Sequence, residues 1–185
     1  TGVDRSPVFL ERARRDAEAA GVAVTYLEGD LRALPVPDGA FDVALNWYTS
    51  FGYFDDAGND AQLAELHRAL RPGGRLLLDV MNPAAVLRRV QARSSSLPSI
   101  TWRDHDHMID ETTVDLEHGL FHTRHTIVRD GRTRVLRYTL RFHFPTELRA
   151  LLERAGFTVL RCTSERGARP AVTDSRLITV AERAG

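Results

Sequence analysis

The chain has 185 residues with 25 acidic and 25 basic side chains, a formal charge of zero, which argues against a polyanion-binding surface and so against a nucleic-acid partner. At 43% hydrophobic and 27% charged residues, with 13 Gly and 8 Pro, it has the composition of one folded globular domain, not of a disordered, fibrous or repeat chain. No window approaches about 18 consecutive apolar residues and the opening stretch lacks the basic-then-apolar order of a signal peptide, so neither a membrane span nor secretion is indicated and a cytoplasmic setting is expected.

Cys162, the one cysteine, permits no disulfide within the chain and no thiolate metal cluster, in keeping with a reducing compartment. The chain opens Thr1-Gly2-Val3-Asp4, without a Met and at what reads as the end of a strand, so an upstream segment is expected. Ser6-Pro7 then reads as an N-cap followed by Pro at the first helical position, and the helix should run to Ala20 and stop at Gly21. Val8, Ala13, Ala17 and Ala20 would form its packing stripe. Val22 to Leu27 is short, β-branched and glycine-bounded, hence a strand, and after a Pro-rich loop Phe41-Asp42-Val43-Ala44-Leu45 reads as a buried parallel strand.

An aromatic loop follows, Asn46 to Phe54. Asn59 to Leu70 shows helical spacing of apolar residues, ends at Arg71-Pro72-Gly73-Gly74, and is followed by another buried strand, Arg75 to Val80. Gln91 to Pro98 reads as a Ser-rich linker. Ile100 to Phe144 alternates in the β manner and is punctuated by Glu117-His118-Gly119 and Arg129-Asp130-Gly131, the hairpin turns of an antiparallel meander. Phe144-Pro145-Thr146-Glu147 opens a last helix that stops at Gly156, and two strands close the chain, Phe157 to Cys162 and Leu177 to Ala181. The expected fold is therefore α/β: a mostly parallel, Rossmann-like sheet whose last strand is antiparallel, built from residues 1–90 and 145–185, with residues 99–144 inserted as an antiparallel β meander.

Several residues on this frame suit a nucleotide site. Asp4, at the carboxyl end of a strand and just before a helix, can accept both hydroxyls of a ribose, although Asp before Ser-Pro is also an ordinary helix-entry residue. Gly29-Asp30 after a strand allows close backbone approach and equally reads as a turn. Trp47, Tyr48, Phe51 and Tyr53 follow a central strand, where open α/β sheets bind ligands; the alternative is a small aromatic core under the meander. Histidines at 105, 107, 118, 122 and 125 invite a metal reading, but the three-residue step from His122 to His125 sends those rings to opposite strand faces, so no metal site is expected. His143, beside the last helix entry, is a candidate general base.

Val-Asp-Arg-Ser-Pro at 3–7, Glu-Gly-Asp-Leu-Arg at 28–32, Phe-Asp-Val-Ala-Leu at 41–45 and Leu-Arg-Pro-Gly-Gly-Arg-Leu-Leu-Leu-Asp at 70–79 occur in the order that resembles a class I S-adenosylmethionine-dependent methyltransferase. The aromatic loop and Leu148 to Leu160 resemble a bacterial small-molecule branch with an inserted meander. The resemblance implies S-adenosylmethionine as cofactor and methyl transfer to an O or N nucleophile of a small molecule. It implies a cofactor site at Asp4 (ribose), Arg5, Gly29, Asp30 and Leu31 (adenine), Asn46 and Trp47. Ser50, Phe51 and Tyr53 are then expected at the acceptor, with Tyr48 and His143 positioning it or removing its proton. The family's first strand and Gly-rich loop do not occur in the sequence, so weak cofactor binding by residues 1–185 alone is expected. A nicotinamide-dependent oxidoreductase and a non-catalytic nucleotide-binding module are the competing readings.

Overall fold

The computed structural model describes residues 1–92, 99–103 and 106–185. Ser6 caps the first helix, α1 (Pro7–Ala19), and the backbone reverses through Gly21 in the left-handed region, φ 66°. Leu10 and Ala17 form its buried face, so Leu10 takes the place expected of Val8, which is exposed. β1 (Gly2–Asp4) and β2 (Tyr26–Glu28) pair in parallel as a two-stranded sheet. The strand expected over Val22 to Leu27 thus begins only at Tyr26, and Val22 and Val24 are exposed.

A second sheet has the order β3-β4-β10-β9, from β3 (Phe41–Asn46), β4 (Leu70–Met81), β9 (Phe157–Ser164) and β10 (Arg176–Arg183). β3 and β4 are parallel; β10, the last strand, runs antiparallel between β4 and β9. The mixed α/β, Rossmann-like architecture expected from the sequence is present, but divided between two sheets. β3 is an edge among the described residues, and Leu45 is 65% exposed where a strand covered on both faces was expected.

The main core is Phe51, Leu63, Leu66, Leu70, Leu76, Leu78 and Val80 packed with Leu148, Leu152, Phe157, Leu177 and Ala181. It joins α2 (Asp56–Ala69) and α4 (Pro145–Arg154) to the sheet. α2 begins earlier than expected because Asp55 caps it, accepting from Gly58 N at 2.8 Å. β4 runs straight through Pro72-Gly73-Gly74, expected as a stop; the irregular register between Phe41 and Val43 takes up the extra residues. α3 (Pro83–Ala92) is a helix that the sequence reading missed, while residues 93–98 of the expected linker lie outside the described residues.

The meander is a four-stranded antiparallel sheet, β5 (Ser99–Arg103), β6 (Asp106–Asp115), β7 (Leu120–Arg129) and β8 (Arg132–Arg141). Asp130 and Gly131, at φ 49° and 69°, make the two-residue turn between β7 and β8. Phe121, Leu140 and Phe142 bury one face of it against Val86 of α3. No described helix is long and apolar enough to cross a membrane.

Candidate functional site

The carboxyl ends of β3 and β4 are joined by a buried carboxylate. Asp79 is 1% exposed, accepts the backbone N–H of Tyr48 at 3.0 Å through Oδ2, and pairs through Oδ1 with the Arg176 guanidinium of β10. Thr49 N donates to Asp79 O at 2.9 Å, and Arg176 Nη2 donates to Thr49 Oγ1 at 2.8 Å. These bonds hold Tyr48 and Thr49 at φ 58° and 63°, the left-handed region, which costs roughly 1–2 kcal/mol per residue for a side chain with a Cβ. None of Asp79, Arg176 and Thr49 is singled out in the sequence analysis. The local signal was an acid closing an otherwise apolar strand, Leu76-Leu77-Leu78-Asp79, because a buried carboxylate demands partners.

The rest of the loop is pinned from below. Gln62 Nε2 donates to Ser50 O at 3.4 Å and Asn59 Nδ2 to Phe54 O at 3.0 Å, while Gly52 O accepts from Arg141 N of β8 at 2.7 Å. Gly52 sits at φ 103°, and a Cβ there would lie 2.4 Å from Arg141 O, so the meander can approach this loop only at a glycine. The ring of Tyr53 lies 5.9 Å from that of Tyr138 on β8, and burial together with Tyr138 raises the Tyr53 phenol above its ordinary value.

The aromatic residues divide by role. Phe51 is a core residue, not a pocket wall: it packs among Leu63, Leu66 and Leu148. Trp47, Tyr48 and Tyr53 are exposed, Tyr48 at 78%, and the Arg176 guanidinium lies 4.9 Å from the centroid of the Tyr48 ring. Ser50 is exposed and its hydroxyl donates to Trp47 O at 2.9 Å. His143, the candidate general base, is buried. It is 6% exposed, lies 5.6 Å from the Phe51 ring, and has neither ring nitrogen hydrogen-bonded among the described residues. Burial, assisted by Arg141, lowers its pKa to about 4, so the expected general base is a neutral ring under the loop.

At the end of β1, Asp4 Oδ1 accepts from Ser6 N at 2.7 Å, and Oδ2 has no hydrogen-bond partner among the described residues. Asp30, beyond β2, is held by Arg32, whose Nε and Nη2 donate to its two oxygens at 3.0 and 2.7 Å. That guanidinium, with Arg32 N and nearby Arg5, holds the Asp30 carboxyl far below the usual range. Arg32 also covers the Phe54 ring at 4.4 Å, which brings the end of β2 to the aromatic loop. Gly29 is needed for close approach, but to protein: a Cβ there would meet Pro35 at 2.6 Å and Val3 at 3.2 Å. Leu31 is half-buried, and Asn46, at the end of β3, is buried with Oδ1 unpartnered among the described residues. Asp4 Oδ2 and Asn46 Oδ1 are thus two acceptors, each at the carboxyl end of its own strand, with capacity for a ligand's hydroxyl or ammonium protons.

Among the described residues no three His, Cys, Asp or Glu are grouped as for a metal ion. His122 and His125 do fall on opposite faces of β7, bonded to Thr139 and Asp110 respectively, while His105 lies outside the described residues. A shallow hollow of about 540 Å³ opens on the outer face of the meander, lined by Glu111, His122, Arg124 and Arg137 among others, and none of the carboxyl-edge residues above lines it.

Residues 1–74 match a family described as a methyltransferase domain. That match agrees with the family that the motifs resemble. A demethylmenaquinone methyltransferase of Thermus thermophilus is 48% identical over 77 residues, 42% of this chain and 34% of that protein. The chain thus spans about a third of the length of that relative. Among solved structures, a S-adenosylmethionine-dependent methyltransferase from Clostridium acetobutylicum shares the fold with a TM-score of 0.83 at 15% identity, covering 99% of this chain and 74% of that one. A sugar N-methyltransferase from Streptoalloteichus sp. does so at 0.67 and 17%, covering 100% and 70%. The matched residues contain Asp4, Asp30 and the whole aromatic loop, whereas Asp79 and Arg176 lie beyond them.

Proposed function

We propose that the chain transfers a methyl group from S-adenosylmethionine to an O or N nucleophile of a small molecule. The observation that carries this reading is the free acceptor at the carboxyl end of each of two strands within the matched residues 1–74: Asp4 Oδ2 after β1 is unengaged, and Asn46 Oδ1 at the end of β3 is orphaned, with exposed Trp47 and Tyr48 next in the chain. Asp4 would hold the ribose hydroxyls, the Leu31 N–H and the Arg5 plane the adenine, and Asn46 the amino-acid end. Asp30 acts here through its hold on Arg32, since both its oxygens are already engaged. Bound there, the cofactor would supply a methyl group already activated by a sulfonium charge.

The protein's part is orientation and exclusion of water. Arg176 occupies a face of Tyr48, which leaves Trp47 as the ring able to face a cation, while the Tyr48 hydroxyl positions the acceptor. The acceptor is a small molecule, and the setting that suits the single free thiol of Cys162 is the cytoplasm. The nicotinamide reading fits less well: after β4 the chain turns to a meander and closes with antiparallel β10 instead of adding parallel βαβ units.

Calorimetric titration with S-adenosylhomocysteine tests the proposal. Asp4→Ala in the full-length protein should weaken binding at least about ten-fold, because charged hydrogen bonds contribute about 1.5–3 kcal/mol each. An unchanged dissociation constant in a folded variant removes Asp4 from the site, and absence of binding by the parent protein removes the reading. Tyr48→Phe separates a pocket role from a packing role. Turnover in a labelled-methyl assay should fall while stability moves by less than about 0.5 kcal/mol, as for other exposed positions. A large drop in melting temperature with normal turnover would place Tyr48 in the packing instead.

A further inference from the structure

The meander's two faces differ in chemistry. Register pairs Asp110 with His125 and Thr112 with Thr123 across β6 and β7, then Thr123 with Tyr138 and His125 with Leu136 across β7 and β8. Strand alternation puts these on the face that carries buried Phe121 and Leu140, the face turned to the rest of the protein. Glu111, His122, Arg124 and Arg137 occupy the other, outward face.

Going up the inner face from its floor, Leu140 lies against Gly52, Tyr138 meets Tyr53, and the next step, roughly 6.6 Å on, brings His125 and Asp110. The Thr112 and Thr123 hydroxyls bond to each other at 3.1 Å on the Tyr138 level. His125 Nδ1 is bonded to Asp110 Oδ1, and both side chains are only partly exposed. An ionised carboxylate only accepts, so the neutral ring carries its proton on Nδ1 and presents a lone pair at Nε2. A carboxylate that fixes the tautomer of an imidazole is the general-base arrangement of hydrolytic triads. Structural cross-strand ion pairs occur in this sheet as well, Arg124 with Glu111 and Arg129 with Asp106. The Asp110–His125 couple differs in standing above an apolar floor, beside the tyrosine pair that links the meander to the aromatic loop.

Resting on the methyl-transfer reading, we propose that the Asp110–His125 couple accepts the proton of the methyl acceptor, and that this acceptor is a hydroxyl-bearing small molecule lying against Tyr53 and Tyr138. A neutral amine already presents a free lone pair, whereas a hydroxyl gains nucleophilicity as its proton leaves, so a positioned base selects hydroxyls. In the step, an oxygen lone pair forms the new O–C bond, the methyl–sulfur bond breaks with its electron pair staying on sulfur, and the hydroxyl proton passes to His125 Nε2. That proton is then lost to water.

The test incubates the full-length protein with tritium-labelled S-adenosylmethionine and separate pools of phenols, polyols, amines and 1,4-quinols, reading the methylated atom by mass spectrometry and NMR. An O-methyl product is expected, formed about 100-fold more slowly by His125→Gln and recovered in part when imidazole is added to His125→Ala. S-adenosylhomocysteine affinity should stay within about two-fold in both variants. Methylation at carbon or nitrogen, an undiminished rate in His125→Gln, or no hydroxyl pool methylated by a protein that binds S-adenosylhomocysteine each overturns the proposal. Independently of any acceptor, nitrogen-15 NMR should show His125 protonated at Nδ1, and an Nε2–H ring overturns it too. Failure of the parent protein to bind S-adenosylhomocysteine would instead remove the methyl-transfer reading underneath.

Discussion

Replacing Asp79 with Ala is expected to cost about 3–5 kcal/mol of stability, the usual loss when one member of a buried ion pair is removed. The variant leaves the Arg176 guanidinium without its carboxylate and the Tyr48 N–H without its acceptor, and it releases Thr49 from only one side. For a chain of this size the melting temperature should fall by about 6–20 °C, and the urea midpoint should drop with an unchanged slope. Asp79→Asn, which keeps an acceptor for Tyr48 N but loses the charge, should fall between. The double variant Asp79→Leu with Arg176→Met separates folding from site geometry. It leaves no unpaired charge and should recover most of the stability, yet the left-handed Tyr48–Thr49 pair loses its anchor, so S-adenosylhomocysteine binding should stay weak. A loss below about 1 kcal/mol in Asp79→Ala would mean that the pair does not hold the loop.

The elements easiest to anticipate were those with local punctuation. Ser6-Pro7 and Gly21 bracket α1, Asp130-Gly131 forms the hairpin between β7 and β8, and Pro145 with Gly156 frames α4. Errors arose where distant partners decide. Pro72-Gly73-Gly74 is locally a stop, yet pairing with β3 carries β4 through it. Val43 and Leu45 read as doubly buried because short apolar runs of this kind often are, but burial depends on neighbours that a strand's own residues do not encode. α3 was missed although Asn82-Pro83 carries the same cap-and-proline punctuation as Ser6-Pro7, and Asn82 Oδ1 accepts from Ala84 N at 3.1 Å.

The candidate site shows the same division. Asp4, Asn46, Trp47 and Tyr48 stand at the ends of strands that alternation and motif order could locate. Asp79 with Arg176, 97 positions apart in sequence, and the Gly52 contact with Arg141 depend on where β8 and β10 return. Phe51 and His143 could not be separated from Tyr48 by residue type. Aromatic and imidazole side chains serve equally in cores and in pockets, and only burial distinguishes them.

Stability should also report the burial of His143 directly. Its pKa is lowered from 6.5 to about 4, first by burial and second by Arg141, with Glu147, Asp56 and Asp60 opposing. Between those two values the unfolded chain binds a proton that the folded chain refuses, so this group's contribution is complete above about pH 6.5 and is lost as the pH falls towards 4. At about 1.4 kcal/mol per pH unit the loss amounts to about 3 kcal/mol, and below pH 4 both states are protonated and nothing further is lost. Phe fits the same apolar contact with Phe51 and carries no proton, so His143→Phe should flatten this part of the profile. Urea midpoints for the parent and the variant at pH 7, 6, 5 and 4 isolate the effect, because acids such as Glu65 and Asp115 titrate alike in both proteins and cancel in the difference. A difference that does not change between pH 7 and pH 4 would show that His143 is hydrated in solution, and its role as a proton acceptor would be open again. A difference that widens in favour of His143→Phe as the pH falls would leave it as the neutral support beneath the aromatic loop, with proton removal left to a group nearer the acceptor.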